Sequence, residues 1–244
     1  MTVYIKSIRV WLQGEDEPNR LTLWANNKLC LEDDFIAPKP QYYPKGQLRR
    51  LSPFSKVALH CLDMPQALTQ NLPLIFASQH GDLAKTVKLI KDAALGDDLS
   101  PTQFALSVHN ATTGLFSIAT SNTAPTTTIS AGKNTFAEGL IEASMQSQLE
   151  NTSVIYTYCD FDVPAAYSQF EARKPARCIS MVITSQEDKA NESLAQIDII
   201  LNNKKTNRVE KSGSDVSLDF IRYLYLQSND EIAGEKHSLS LGFS

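Results

Sequence analysis

The sequence predicts an α/β fold. Short β-branched or apolar runs alternate with amphipathic helical stretches along the chain. Capping and turn residues fall between these runs and not within them. Hydrophobic residues make up 42% of the 244 positions, an ordinary globular share that excludes disorder as the main state. A chain of this length buries roughly 70–75% of its unfolded surface, enough for a core without staples.

The first segment alternates: Val3, Ile5, Ile8 and Val10 sit among Lys6, Ser7 and Arg9, which reads as a half-buried strand slightly out of phase. Residues 13–50 are polar and broken by Pro18, Pro38, Pro40, Pro44 and Gly46, so a long loop-rich excursion is expected. Pro53–Leu62 has Phe54, Val57, Ala58 and Cys61 on one helical stripe. Leu72–Ala77 is an apolar run closed by Gln79-His80-Gly81, the pattern of a buried strand ending in a turn. In the next helix, Leu83 to about Ala94, Leu83, Val87, Ile90 and Ala94 recur at helical spacing. Lys85, Lys88 and Lys91 read as its solvated face.

Ser100-Pro101-Thr102-Gln103 is a helix start, with a capping serine, proline at the first helical position and glutamine to close a capping box. That helix is expected to turn Phe104, Val108 and Ala111 inward and to end near Gly114. Thr126–Ile129 is β-branched and predicts a strand. A tight Ser130-Ala131-Gly132-Lys133 turn follows, with Asn134 capping a helix from Thr135 to about Gln148. Val154–Tyr158, Cys178–Thr184 and Ile197–Leu201 predict three more strands, Leu218–Leu226 a helix and His237–Phe243 a terminal strand.

Charge and composition exclude several functions. With 23 Lys+Arg against 27 Asp+Glu the net charge is −4, which argues against a nucleic-acid binder. No apolar run approaches the roughly 20 residues of a membrane span, and Met1–Val10 lacks a signal-peptide core, so a soluble cytoplasmic chain is expected. Cys30, Cys61, Cys159 and Cys178 form no CxxC pair, and His60, His80, His109 and His237 stand at no metal-ligand spacing from them. The cysteines read as reduced core thiols, and no metal or cofactor is implied. Asp160 and Asp162, flanking Phe161, read as loop carboxylates.

The strand–turn–helix at 126–148 is where chemistry would sit. It is no phosphate loop, because position 127 is Thr and position 134 is Asn where that motif needs glycine and Ser or Thr. It holds no GxSxG nucleophile elbow. What remains is an elbow at a helix N-terminus, where the macrodipole would favour a thiolate.

Here the sequence resembles the N-terminal half of β-ketoacyl synthases. The likeness runs through Gln47–Pro53, Phe76–Asp82, Pro101–Phe104, Asn110–Gly114, Thr128–Asn134 and Ala137–Ala143. Among such proteins the chain is similar to the chain-length-factor subunits of bacterial aryl polyene biosynthesis. The resemblance implies one truncated thiolase-like domain over residues 1–244. In it, 1–150 corresponds to the ketosynthase N-terminal half and 151–244 to a shortened remainder.

The resemblance also implies what is missing. Aligned with the family, the nucleophile position falls on Lys133, an ammonium at the positive end of a helix and no substitute for a thiolate. A Schiff-base amine at Lys133 is the chemical alternative to an inert occupant. The family's two catalytic histidines come from its second half, and only His237 follows Glu150 here. The implied function is a silent subunit pairing with an active β-ketoacyl-acyl-carrier-protein synthase, and reaching the carrier protein through that complex. Thr126, Thr127, Thr128, Ile129 and Ser130 would extend one sheet between subunits, with His109 and Asn110 also at the interface. Leu83, Phe104 and Val108 are the candidates to gate the partner's acyl pocket. Two rivals stay open: an acyltransferase or hydrolase using Cys61 or Cys159 with His60, and a small-molecule binding or scaffold domain.

Overall fold

A computed structural model describes residues 1–186, 193–201 and 215–243. Its strands are β1 (Thr2–Leu12), β2 (Leu74–Ala77), β3 (Thr126–Ile129), β4 (Val154–Asp160), β5 (Arg177–Thr184), β6 (Ala195–Leu201), β7 (Glu231–Ala233) and β8 (His237–Gly242). They form one sheet in the order β3-β2-β4-β5-β1-β6-β8-β7. β2 runs parallel to both β3 and β4, and the remaining pairs are antiparallel. The sheet therefore takes strands from both sides of residue 150.

Alternation along the strands divides the core into two faces. Ile75, Ala77, Tyr156, Ile179 and Met181 point to one side, which helices α7 (Thr135–Glu150) and α8 (Val216–Leu226) help to cover. Leu74, Ile155 and Val182 point to the other side, against Leu59 of α2 (Pro53–Cys61), Ala67 of α3 (Pro65–Thr69) and Phe116 of α6 (Ala111–Thr120). Helix, sheet and helix thus form three layers. In β1 the register slips between Ile5 and Ser7, and this bulge accounts for the imperfect alternation of the sequence.

Two close fits hold the first face. A Cβ on Gly139 would meet the Ala77 Cβ at 2.7 Å, so this glycine lets α7 lie directly on β2. Beside it the Tyr156 hydroxyl donates to the Phe136 carbonyl at 2.6 Å. At the start of α8, Asp215 caps the helix and accepts from Arg177 Nη2 at 2.8 Å. The same nitrogen donates to the Tyr158 hydroxyl at 3.0 Å, Nε to Ser217 Oγ and Nη1 to the Pro175 carbonyl, so every nitrogen of this buried guanidinium has a partner.

The structure corrects several expectations. The excursion at 13–50 contains a helix, α1 (Pro18–Ala25), which buries Leu21 and Ala25; eight residues with one proline at the start gave too weak a period to announce it. Pro65–Thr69 and Glu231–Ala233 are likewise short elements that carry no readable period. The expected helix from Pro101 to Gly114 is broken. α5 spans Pro101–Ala105, a turn follows, and Gly114 lies inside α6. The break removes Phe104 and Val108 from the buried face, and both are exposed; Thr112, Thr113 and Phe116 are buried in α6 instead. In α4 (Leu83–Leu95) only Val87 is buried, while Leu83 is half-buried and Ile90 and Ala94 face out. Lys85, expected outside, is turned in against Asp82 at 3.7 Å.

Candidate subunit interface and elbow

Among the described residues, β3 has β2 on one side and no strand on the other. The Pro125 and Ile129 carbonyls accept from Leu74 and Ser78 of the β2 segment at 3.0 and 3.1 Å. Both polar groups of a strand residue point to one side, and the side alternates. Thr127 therefore also faces β2, and Thr126 and Thr128 aim their N–H and C=O groups at the open edge. Such an edge is a template for pairing with another chain. Thr126 and Thr127 are exposed, and Thr128 and Ile129 are half-buried, Ile129 against the core.

Exposed apolar side chains lie on the helices that follow β2 and β3 in sequence. Ile118 on α6 is 83% exposed, Phe104 on α5 59% and Val108 in the next turn 46%. Leu149 on α7 is 81% exposed.

At the C-terminal end of β3 the chain turns at Ala131, with φ −138° and ψ 35°, into a short 3-10 turn over Gly132–Asn134 and then α7. Thr135 does the local work: its Oγ accepts from the Ala131 N–H at 2.9 Å and donates to the Gly132 carbonyl at 2.7 Å. Asn134, the expected cap, occupies the N-cap position without a side-chain bond to the helix. Lys133 is exposed on this turn, two residues past the bend, and among the described residues no carboxylate or carbonyl holds it. No cysteine occurs from Thr126 to Glu150, so no thiol stands at the elbow whichever of its residues marks the nucleophile position.

The loop after β2 is tied to this elbow. Ser130 Oγ donates to the Gln79 carbonyl at 2.9 Å. Asp160, at the end of β4, accepts from Ser78 Oγ at 2.8 Å and from the Gln79 N–H at 3.0 Å. Asp160 is thus a buried organiser and not the loop carboxylate that sequence suggested; the signal for it lay only in its place at a strand end. Beside it, His80 pairs with Glu171 at 2.7 Å and Lys174 with Glu171 and Asp215 at 3.0 Å each. These side chains fill the cleft between loops 78–82 and 161–174, leaving a cavity of about 10 Å³, too small for an acyl group.

The other singled-out residues are dispersed. His109 is in the turn before α6 rather than inside a helix, and its Nε2 donates to the Ser78 carbonyl at 2.8 Å. Asn110 is exposed at the start of α6. His60 bonds Asp16 at 2.8 Å, and His237 bonds Glu138 in the first turn of α7 at 3.0 Å. Cys159 and Cys178 face each other across β4 and β5, and Cys61 lies close by, all three buried. Burial pushes the Cys159 thiol up and the Cys178 thiol well up, which leaves them inert core thiols. Sequence reasoning missed one surface. Lys39, Lys45, Arg49 and Lys56 line a groove of about 610 Å³ floored by Pro40 and Leu48, and none of the four has an acidic partner among the described residues. Their spacing over 18 positions hid it within an acidic chain.

Residues 22–238 match the family model of the β-ketoacyl synthase N-terminal domain. The chain belongs to the β-ketoacyl synthase family. Its three-layer arrangement is the thiolase-like ketosynthase fold, as structural comparison shows. A chain of the ketosynthase ApeO in complex with its chain length factor ApeC, from Xenorhabdus doucetiae, superposes with a TM-score of 0.80 at 20% identity, covering 99% of each chain. The ishigamide ketosynthase/chain length factor follows with a TM-score of 0.66 at 13% identity, over 92% of this chain and 73% of that one. The module 6 ketosynthase of the bacillaene synthase from Bacillus subtilis 168 gives 0.58 at 10% identity, over 91% of this chain but 45% of that one. No curated protein matches the chain significantly. Among the described residues no helix is long and apolar enough to cross a membrane.

Proposed function

We propose that this chain is a catalytically silent ketosynthase-like subunit, a chain length factor. It pairs with an active β-ketoacyl-acyl-carrier-protein synthase in the cytoplasm and shapes that enzyme's acyl pocket during aryl polyene assembly. The observation that carries the reading is the open edge of β3, where Thr126 and Thr128 present backbone groups that no strand among the described residues pairs; exposed Phe104, Val108 and Ile118 add support. A second chain pairing there satisfies the ladder, and we assign the cover of those apolar side chains to the same partner. Leu83, Phe104 and Val108 then reach toward the partner's pocket.

Silence follows from the chemistry of the elbow. A decarboxylating condensation needs a nucleophile, histidines and an oxyanion site acting as a unit. This elbow carries Ala131 and Lys133, and the thiols of Cys61, Cys159 and Cys178 are buried in the core. That burial also weighs against the rival of an acyltransferase built on Cys61 or Cys159. The basic groove at Lys39, Lys45, Arg49 and Lys56 suits an acidic partner surface, and we assign it to the acyl carrier protein visiting the complex.

The test is co-expression with the candidate ketosynthase. The expected result is a stable stoichiometric complex whose product formation survives Lys133→Ala within about three-fold. The reading fails if the isolated chain becomes covalently loaded from an acyl thioester and elongates it.

A further inference from the structure

The segment that presents Phe104 and Val108 is poorly anchored by its own packing. α5 has five residues and none of them is buried; a helix this short has no stability alone. Two polar contacts fasten it instead. Lys85 Nζ, only 10% exposed on its side chain, donates to the Leu106 carbonyl at 3.3 Å and is held by Asp82, whose carboxylate also caps α4. His109 Nε2 donates to the Ser78 carbonyl at 2.8 Å. A carbonyl only accepts, so the proton is on Nε2.

The seat for that imidazole is cut to shape. Gly81 has φ +61°, and a Cβ there would lie 2.9 Å from His109 Nδ1 and 3.0 Å from Cε1. The seat is rigid in turn, because Ser78 Oγ donates to Asp160 and accepts from the Gly81 N–H at 2.8 Å each. A chain of contacts therefore runs from the end of β4 through the loop after β2 to the segment carrying the two exposed apolar side chains.

We infer that His109, seated on Gly81 and assisted by Lys85, is a positioning residue that sets how far Phe104 and Val108 project, and so tunes the length of acyl chain the complex accepts. The inference rests on the pocket-shaping reading above and adds the residue through which it acts. His109 touches no substrate in this scheme; it acts through the segment it fastens.

The experiment uses the purified complex with four variants: His109→Leu, His109→Gln, Gly81→Ala and Phe104→Ala. Hydrogen exchange over residues 104–110 and product length by mass spectrometry are both read. His109→Leu and Gly81→Ala are expected to speed exchange of the segment about ten-fold. They should also move the main product by at least one two-carbon unit, with turnover within about two-fold of the parent. His109→Gln keeps an Nε2–H at similar reach and should restore both readouts. Unchanged exchange in His109→Leu overturns the clasp. A length shift in Phe104→Ala without one in His109→Leu overturns the positioning role and leaves pocket shaping standing. No shift in either variant overturns both.

Discussion

The Asp160 carboxylate and the Ser78 hydroxyl, 82 residues apart in the chain, meet at 2.8 Å inside the protein. That bond joins the end of β4 to the loop after β2, and the loop in turn meets both the elbow and the segment at 104–109. Asp160→Ala removes an acceptor shared by Ser78 and the Gln79 amide and leaves both donors buried or half-buried without it. The expected cost is about 2–4 kcal/mol of stability, measured by denaturant unfolding. A change within about 0.5 kcal/mol would show that water replaces the carboxylate without loss.

Gly139 is the contact point between α7 and β2. Gly139→Ala drives a methyl to within 2.7 Å of Ala77 and 2.9 Å of the Tyr156 ring. Overpacking of this kind is expected to cost about 1–3 kcal/mol, more than the helix gains from losing a glycine. A thermal melt that rises on substitution would contradict the close approach.

The outward N–H of Thr128 offers a clean separation of folding from assembly. Thr128→Pro deletes that donor without touching the bonds between β3 and β2, a position where edge strands tolerate proline. The variant should keep its circular dichroism and melting point while co-purification with the ketosynthase falls by about ten-fold or more. Undiminished association would place the partner elsewhere.

Acid should weaken the Arg177–Asp215 pair. Burial alone raises the Asp215 carboxyl, but Arg177, the Ser217 bond and Lys174 together hold it below its ordinary value of 3.8. The unfolded chain therefore binds this proton more readily than the folded one, so the contribution is complete above the unfolded value and is lost as pH falls below about 4. Asp215→Asn is expected to flatten that acid limb of the stability curve. At neutral pH it should cost about 3–5 kcal/mol, because Arg177 stays buried without its counter-ion. An unchanged acid limb in Asp215→Asn would assign the acid sensitivity to other groups.

For the basic groove, Lys45→Glu with Arg49→Glu reverses two of four cations on an exposed surface away from the core. Carrier-protein binding to the complex should drop by about ten-fold at low salt and converge with the parent at high salt. Equal binding at both salt concentrations would free the groove from that role.

Local chemistry made much of this molecule readable in one dimension. Thr126–Ile129 is a strand within its expected bounds because four β-branched residues permit little else, and Ser52-Pro53 starts α2 because serine caps and proline fits the first turn. The absence of sulfur at the elbow is likewise a property of composition. What sequence left open was who covers each apolar face. The period of Leu83, Val87 and Ile90 marks a stripe but does not say whether its cover is the same chain, and the helix turns Ile90 outward. Nor does any local pattern announce that His109 meets a carbonyl 31 residues earlier, or that among the described residues β3 ends the sheet with one side open. Periodicity is written by neighbours within a few residues, whereas edges, clasps and buried ion pairs are made by segments that meet only when the chain has closed on itself.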